Sequence, residues 1–190
     1  MVYSLRKKRK RGCLGSLLTW FIIILVLAWG VRFGIKKLFP MPYMDTVLSA
    51  AETYDVEPAL LYALIKAESN FDVDAESVKD AKGLVQMLDE TAAWCAKKSG
   101  LPYTDITDPA QSIPLGAFYL GYLLNMYEDN ETCAVAAYNA GHGRVDGWLS
   151  DLRYSPDGET LSKIPFPETD RYVKKVQLYK KVYEKRLDNQ

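Results

Sequence analysis

The sequence predicts an all-α protein in which one transmembrane helix precedes a helical domain. Apolar residues recur at helical spacing along much of residues 44–187, while the alternating pattern typical of strands is nearly absent. Near the N-terminus, residues 14–31 contain no charged side chain. Because roughly 18 such residues can span a bilayer, we expect a membrane helix there.

Basic residues flank this apolar stretch on both sides. Residues 1–37 contain nine Lys or Arg and no acid, six of them in the run 6–11. Since positive flanks stay in the cytoplasm, we expect a single-pass signal anchor at the cell membrane, with the N-terminus inside and the rest outside. A cleaved signal peptide is the alternative. Its apolar region usually has about 7 to 15 residues and ends at a small-x-small site, whereas here Trp29 separates two small residues.

The charge of the remaining chain argues against a nucleic-acid partner. Outside residues 1–37 there are 15 basic and 24 acidic residues, a net charge of −9, and phosphate binding requires basic patches. Cys95 and Cys133 are the only cysteines there, which leaves both two buried free thiols and a disulfide open. His142 is the only histidine and there is no Cys/His cluster, so neither a structural nor a catalytic zinc site is expected.

The helices of the outer domain are predicted in chain order from apolar stripes and breakers. Pro58 suits the first turn of the second helix, and Gly100 suits the end of the third. The predicted helices are one from Met44, one from Pro58, one over Glu90–Ser99, one over Ser112–Tyr127 and a last one carrying the stripe from Tyr172 to Leu187. Loops are predicted over 72–82 and 150–167. We therefore divide the chain into a basic cytoplasmic segment (1–13), a signal anchor (14–35), a linker (36–44) and an outer domain (45–190).

Glu68 is the position most indicative of chemistry. The stripe of the second helix runs through Leu64 and Ile65 to this carboxylate, so an acid ends a buried apolar face. Burial disfavours the charged form and raises the pKa. A carboxyl group that stays protonated near neutral pH can donate a proton to a leaving group. The alternative is a helix-end acid that turns to solvent or pairs with Lys66 or Lys82.

Four short motifs occur around and after this acid. They are ESNF at 68–71, GLVQ at 83–86, AYNAG at 137–141 and IPFPET at 164–169. In this order and spacing, residues 45–185 resemble the soluble-lytic-transglycosylase catalytic domain of the lysozyme-like superfamily. The resemblance implies a lysozyme-like helical domain with a substrate groove and no metal or organic cofactor. Val85 departs from the family pattern, in which a Met is usual.

The resemblance also implies roles for individual residues. Glu68 resembles the sole catalytic acid and base of the family. The residues implied to bind substrate are Ser77, Gln86, Tyr138, Asn139 and Glu168. Each also has a structural interpretation, such as turn formation for Asn139 or core packing for Tyr138. By the resemblance, Tyr172 falls with Glu168 in the C-terminal motif that closes the groove. Its place on the apolar stripe of the last helix nevertheless favours a core position over a ligand contact.

The reaction implied is cleavage of the β-1,4 bond between N-acetylmuramic acid and N-acetylglucosamine in peptidoglycan. In a lytic transglycosylase this cleavage is not hydrolytic and leaves a 1,6-anhydro ring. Glycan strands and the membrane are the implied partners. Two alternatives remain: a hydrolytic muramidase of the goose-lysozyme type, with Asp80 or Asp89 as its second carboxylate, and a non-catalytic glycan-binding envelope module.

Overall fold

The computed structural model describes residues 12–189, with side chains described from residue 17 onward. Most of the predicted basic segment, residues 1–11, lies outside the described residues. The described chain is helical and has no β-sheet; only two isolated bridges join Glu76 to Lys82 and Lys82 to Met87. The helices are α1 Gly12–Leu38, α2 Met44–Thr53, α3 Pro58–Glu68, α4 Asp89–Ser99, α5 Pro109–Met126, α6 Glu131–Ala140, α7 His142–Leu149 and α8 Pro167–Leu187. The predicted all-α class is confirmed.

Helix α1 forms a compact unit of its own, and a second unit begins at Met41. Within α1, Leu17–Leu38 is long and apolar enough to cross a membrane, judged by length and composition. Its large apolar side chains are exposed, as expected for a helix without a protein core around it. A membrane anchor and a signal sequence both meet this criterion.

Helix α3 is the central element of the second unit. Every residue from Ala59 to Ile65 is buried, which is the pattern of a helix surrounded on all sides. Its most extensive partner is α8, where the ring of Tyr183 stacks on Tyr62 with centroids 5.2 Å apart. Helix α8 is amphipathic, because its buried residues recur at helical spacing on one face while exposed lysines lie between them on the other. Helix α3 is thereby held against α8.

The remaining helices surround this pair. Helix α2 packs on α3 and α5, and α6 packs on α5, α7 and α8. Helix α5 begins at Pro109, earlier than predicted, because Asp108 caps it by accepting a hydrogen bond from the Ala110 amide. Gly141 has a φ of 87° and separates α6 from α7, whose first residue is His142. The loops predicted at 72–82 and 150–167 lack helices, apart from Pro167 itself.

Candidate active site

A cleft of about 490 Å³ lies where the end of α3 meets the loop 77–88, the junction of α6 with α7 and the first turn of α8. Its walls contain every site residue predicted from the sequence, which are Glu68, Ser77, Gln86, Tyr138, Asn139 and Glu168. A second cleft of about 590 Å³, near the start of α3, contains none of them. The fold therefore brings residues that are up to 100 positions apart in the chain to one concave surface.

Glu68 is the last residue of α3 and lies in the wall of this cleft, with part of its surface open. Burial raises the pKa of its carboxyl group from 4.5 to about 7, although the Tyr172 hydroxyl and the Lys175 ammonium both act to lower it. Glu68 forms no ion pair with any described residue: Lys82 pairs with Asp89, and Lys66 Nζ donates a hydrogen bond of 2.6 Å to Asn70 Oδ1. The alternative in which a lysine neutralises this acid is therefore not observed.

Tyr172 is the direct partner of Glu68, which the sequence did not indicate. Its hydroxyl donates a hydrogen bond of 2.5 Å to Glu68 Oε1, across 104 positions of the chain. Its side chain is only 8% exposed, so the expected core position is also correct. Burial raises the pKa of the Tyr172 phenol well above its usual value, which keeps the hydroxyl protonated and able to donate. A core position and a site contact are thus combined in one residue.

The loop after α3 is fixed to the helix end by side-chain hydrogen bonds to the backbone. Ser69 follows Glu68 directly, and its hydroxyl donates to Leu84 O at 2.9 Å. Gln86 Nε2 donates to Ala75 O at 2.8 Å and to Gly83 O at 3.1 Å. No described residue donates to Gln86 Oε1. The amide nitrogen of Gln86 therefore orders the loop, while its oxygen is available to a ligand.

Two further residues of this loop have restricted roles. Ser77 Oγ accepts hydrogen bonds from the amides of Lys79 at 3.2 Å and Ala81 at 3.1 Å, so its hydroxyl hydrogen is still available for donation. Gly83 has a φ of 72°, and a Cβ there would collide with the carbonyl oxygen of Ile106. Only glycine fits both the dihedral angle and the close backbone approach.

Helix α6 presents Tyr138 and Asn139 to the cleft. The Tyr138 hydroxyl donates to Val85 O at 3.0 Å, which connects α6 to the loop. Asn139 Oδ1 accepts a hydrogen bond of 2.9 Å from the Thr169 hydroxyl, which connects α6 to the first turn of α8. No described residue accepts from Asn139 Nδ2. Glu168, next to Thr169, is exposed in the cleft wall.

The two aspartates considered for a hydrolytic mechanism do not line the cleft. Asp89 accepts a hydrogen bond from the Tyr103 hydroxyl at 2.7 Å and pairs with Lys82 at 3.3 Å, and these contacts lower its pKa. Among the described residues in the cleft wall, Glu168 is the carboxylate that accompanies Glu68.

Neither a metal centre nor a disulfide is formed by the part of the chain that the structure describes. Within it, no group of three His, Cys, Asp or Glu side chains is arranged to hold a metal ion. Cys95 and Cys133 are both buried, and both are free.

Comparison with known proteins identifies the family. The model of the transglycosylase SLT domain matches residues 45–159. A putative soluble lytic murein transglycosylase from Haemophilus influenzae is 34% identical over 150 residues, covering 76% of this chain and 25% of its own. The soluble lytic murein transglycosylase of Salmonella typhimurium is 32% identical over 154 residues, covering 78% of this chain and 24% of its own.

Solved structures support the same family assignment. An inactive mutant of lytic transglycosylase Slt from Pseudomonas aeruginosa superposes with a TM-score of 0.71 at 36% identity, covering 79% of this chain and 25% of that one. The 70 kDa soluble lytic transglycosylase of Escherichia coli gives a TM-score of 0.73 at 30% identity, covering 80% and 26%. The chain spans about a quarter of the length of the relatives it matches. On its sequence and its fold alike, this chain belongs to the transglycosylase SLT domain family.

Proposed function

We propose that this chain is a peptidoglycan lytic transglycosylase, which cleaves the β-1,4 bond between N-acetylmuramic acid and N-acetylglucosamine without water. The observation that carries the proposal is the Glu68 carboxyl group, which lies in the cleft with its pKa raised to about 7 and bonded to Tyr172. Relatives named as soluble lytic murein transglycosylases support the same substrate.

The mechanism uses Glu68 twice. Its protonated carboxyl group first donates a proton to the glycosidic oxygen as the bond to the muramoyl C1 breaks. The resulting carboxylate then accepts the proton of the muramoyl C6 hydroxyl, whose oxygen bonds to C1 and closes the 1,6-anhydro ring. Glu68 ends protonated again, so the cycle balances. A group whose pKa lies near the working pH is suited to both steps.

One carboxylate is sufficient in this mechanism because the nucleophile belongs to the substrate. Most glycosidases require a second carboxylate, either as nucleophile or as base for water. An internal hydroxyl already has a high effective concentration at C1, which removes that requirement. The other cleft residues then bind and orient the sugar. We assign Gln86 Oε1 as an acceptor, Asn139 Nδ2 and the Ser77 hydroxyl as donors, and Tyr138 and Glu168 as further substrate contacts.

Hydrolysis is the second candidate function, and one observation supports it. Glu168 lies in the same cleft wall as Glu68, so it is the carboxylate that a hydrolytic mechanism at this cleft would use to activate a water molecule. Asp80 and Asp89 do not line the cleft. A hydrolase would leave a reducing muramic acid end, whereas a binding module would release no product. The products therefore separate all three functions.

The test is digestion of purified sacculi with the full chain in detergent, followed by mass analysis of the released muropeptides. A transglycosylase yields muramic ends that are one water lighter and resist borohydride reduction. The Glu68→Gln variant, purified in the same way, is the control for contaminating enzymes. Mainly reducible ends would show that the protein is a hydrolase, and no release above the control would show that it is not catalytic.

We further propose that α1 is an uncleaved signal anchor, with residues 1–13 in the cytoplasm, residues 14–35 in the membrane, residues 36–44 as a linker and residues 45–190 outside. The apolar helix Leu17–Leu38 and the basic flank support this proposal. In intact spheroplasts, added protease is expected to degrade the outer domain and leave an N-terminal tag protected. A mature chain whose mass lacks the first residues would instead indicate a cleaved signal peptide.

A further inference from the structure

Arg144 is a charged residue of the cleft that the proposed mechanism does not use. It lies near the start of α7 and contributes to the cleft wall together with Ala140 and Gly141. The ion pairs among the described residues do not include it. A cation in a concave site without a carboxylate partner is suited to an anionic ligand.

The guanidinium group of Arg144 is nevertheless held in place. Nη1 donates a hydrogen bond of 2.6 Å to Ala140 O, and Cζ lies 5.9 Å from the centre of the Phe166 ring. That ring packs in turn against Trp148, with centroids 5.2 Å apart. A guanidinium group has five N–H donors, and the remaining donors of Arg144 have no acceptor among the described residues. The guanidinium group is therefore held in one orientation while several of its N–H donors remain available to a ligand.

Space is available beside this side chain. A Cβ added at Gly141 or at Gly143 would meet no atom within 4 Å, so the backbone next to Arg144 borders open volume. The planar fork of a guanidinium group matches a carboxylate with two parallel hydrogen bonds, which a lysine cannot reproduce. Residues 38–190 carry a net charge of −9. Arg144, together with Lys79 in the same cleft wall, supplies local positive charge that favours the approach of an anionic group to the cleft.

We propose that Arg144 forms a carboxylate-binding subsite, which receives a carboxylate carried by the muramoyl residue. This inference rests on the proposed function for the identity of the ligand. A muramoyl residue carries a lactyl group, whose carboxylate is free when no peptide is attached and forms an amide when a stem peptide is attached. The stem peptide brings carboxylates of its own, whereas N-acetylglucosamine has none. Arg144 thus distinguishes muramoyl from glucosaminyl residues by charge.

The experiment is equilibrium binding to the full chain in detergent, in a Glu68→Gln background that prevents turnover. Three soluble glycans of equal length are compared: one with stem peptides, the same glycan after an amidase has removed the peptides, and a neutral oligomer of N-acetylglucosamine. The variants are Arg144→Gln, Arg144→Lys and Arg153→Gln. Arg153 is exposed, pairs with Asp151 and does not line the cleft, so its variant has the same change in net charge.

Arg144→Gln is expected to weaken binding of a carboxylate-bearing glycan by about 10- to 100-fold, the range for a lost charge-assisted hydrogen bond. Binding of the neutral oligomer stays unchanged, Arg144→Lys has an intermediate effect, and Arg153→Gln has none. If only the peptide-bearing glycan binds more weakly, the subsite is assigned to the stem peptide. If the peptide-free glycan binds more weakly, the subsite is assigned to the lactyl group.

If Arg144→Gln weakens the binding of all three glycans equally, or of none, the inference is overturned, because the role of Arg144 would then be structural or absent. The outcome is separate from the proposed function, since binding in the Glu68→Gln background does not depend on catalysis. A wild-type chain that releases no anhydro-muropeptides would refute the function while leaving the charge preference of the cleft measurable.

Discussion

Replacing Glu68 by Gln is expected to stabilise the protein at alkaline pH while abolishing its activity. The carboxyl group has a pKa of about 7 in the folded chain, against 4.5 for an exposed group. Between these two pH values the folded state binds more protons than the unfolded state, so the stability of the wild type falls as pH rises. Gln keeps the shape of the side chain and does not titrate.

The size of the effect follows from the shift in pKa. A rise from 4.5 to about 7 corresponds to about 3 kcal/mol, since one unit of pKa is 1.36 kcal/mol. This contribution is fully present below pH 4.5 and fully lost above about pH 7. The stability of Glu68→Gln relative to wild type should therefore increase by about 3 kcal/mol over this range. For a domain of this size, that is a relative gain of about 6 to 12 °C in melting temperature.

The assay is thermal unfolding of both full chains in the same detergent, followed by circular dichroism at several pH values. Comparing the two chains at each pH cancels the contribution of every other titrating group. Activity on sacculi should fall by about 10²-fold or more in the variant, the contribution of a general acid. Parallel stability curves from pH 4 to pH 8 would refute the raised pKa, and nearly normal turnover in the folded variant would refute the mechanism.

Four other substitutions test the surroundings of this acid. Tyr172→Phe removes a hydrogen bond that lowers the pKa of Glu68, so the alkaline limb of the pH–rate profile should move up by about 1 to 2 pH units; an unmoved limb contradicts this. Asp80→Asn and Asp89→Asn should keep most activity and the same anhydro products by mass analysis, whereas mainly reducing ends that are lost in either variant would favour hydrolysis. Gln86→Ala should lower stability by about 1 to 3 kcal/mol in denaturant titrations and raise KM, because Ala75 O and Gly83 O each lose a donor.

The helices of this protein were largely predictable because their sequences agree locally with helix physics. Pro58 and Gly100 mark helix boundaries through backbone restrictions that act within a few residues. The position of Glu68 was predictable for a similar reason, since it continues a stripe of residues that are all buried. The boundary of α5 was misplaced because the cap formed by Asp108 precedes the apolar stripe.

Contacts between distant elements were not predictable in the same way. The stripe of α8 indicates that Tyr172 is buried, but it contains no information about which acceptor its hydroxyl meets. Arg144 lies in a stretch without a clear apolar stripe. Its position in the cleft depends on the turn at Gly141, where φ is 87°. Asp80 is close to Glu68 in the chain, yet it has a left-handed backbone with a φ of 60° and does not line the cleft.

The structure also explains why the pKa of Glu68 is near 7 and not at an extreme. Burial is the main cause that raises the pKa of Glu68, and its place at the end of α3 acts in the same direction, because the carbonyl groups at a helix C-terminus disfavour a negative charge. Two groups from α8 oppose these effects: the Tyr172 hydroxyl bonds to the carboxylate, and Lys175 Nζ donates to Ala67 O at 2.7 Å, next to the acid. The proposed acid step uses the protonated form of Glu68, and the proposed base step uses its ionised form. A site with only the effects that raise the pKa, or only those that lower it, would favour one step at the expense of the other. In the mechanism we propose, opposing contributions from α3 and α8 allow a single carboxyl group to perform both steps.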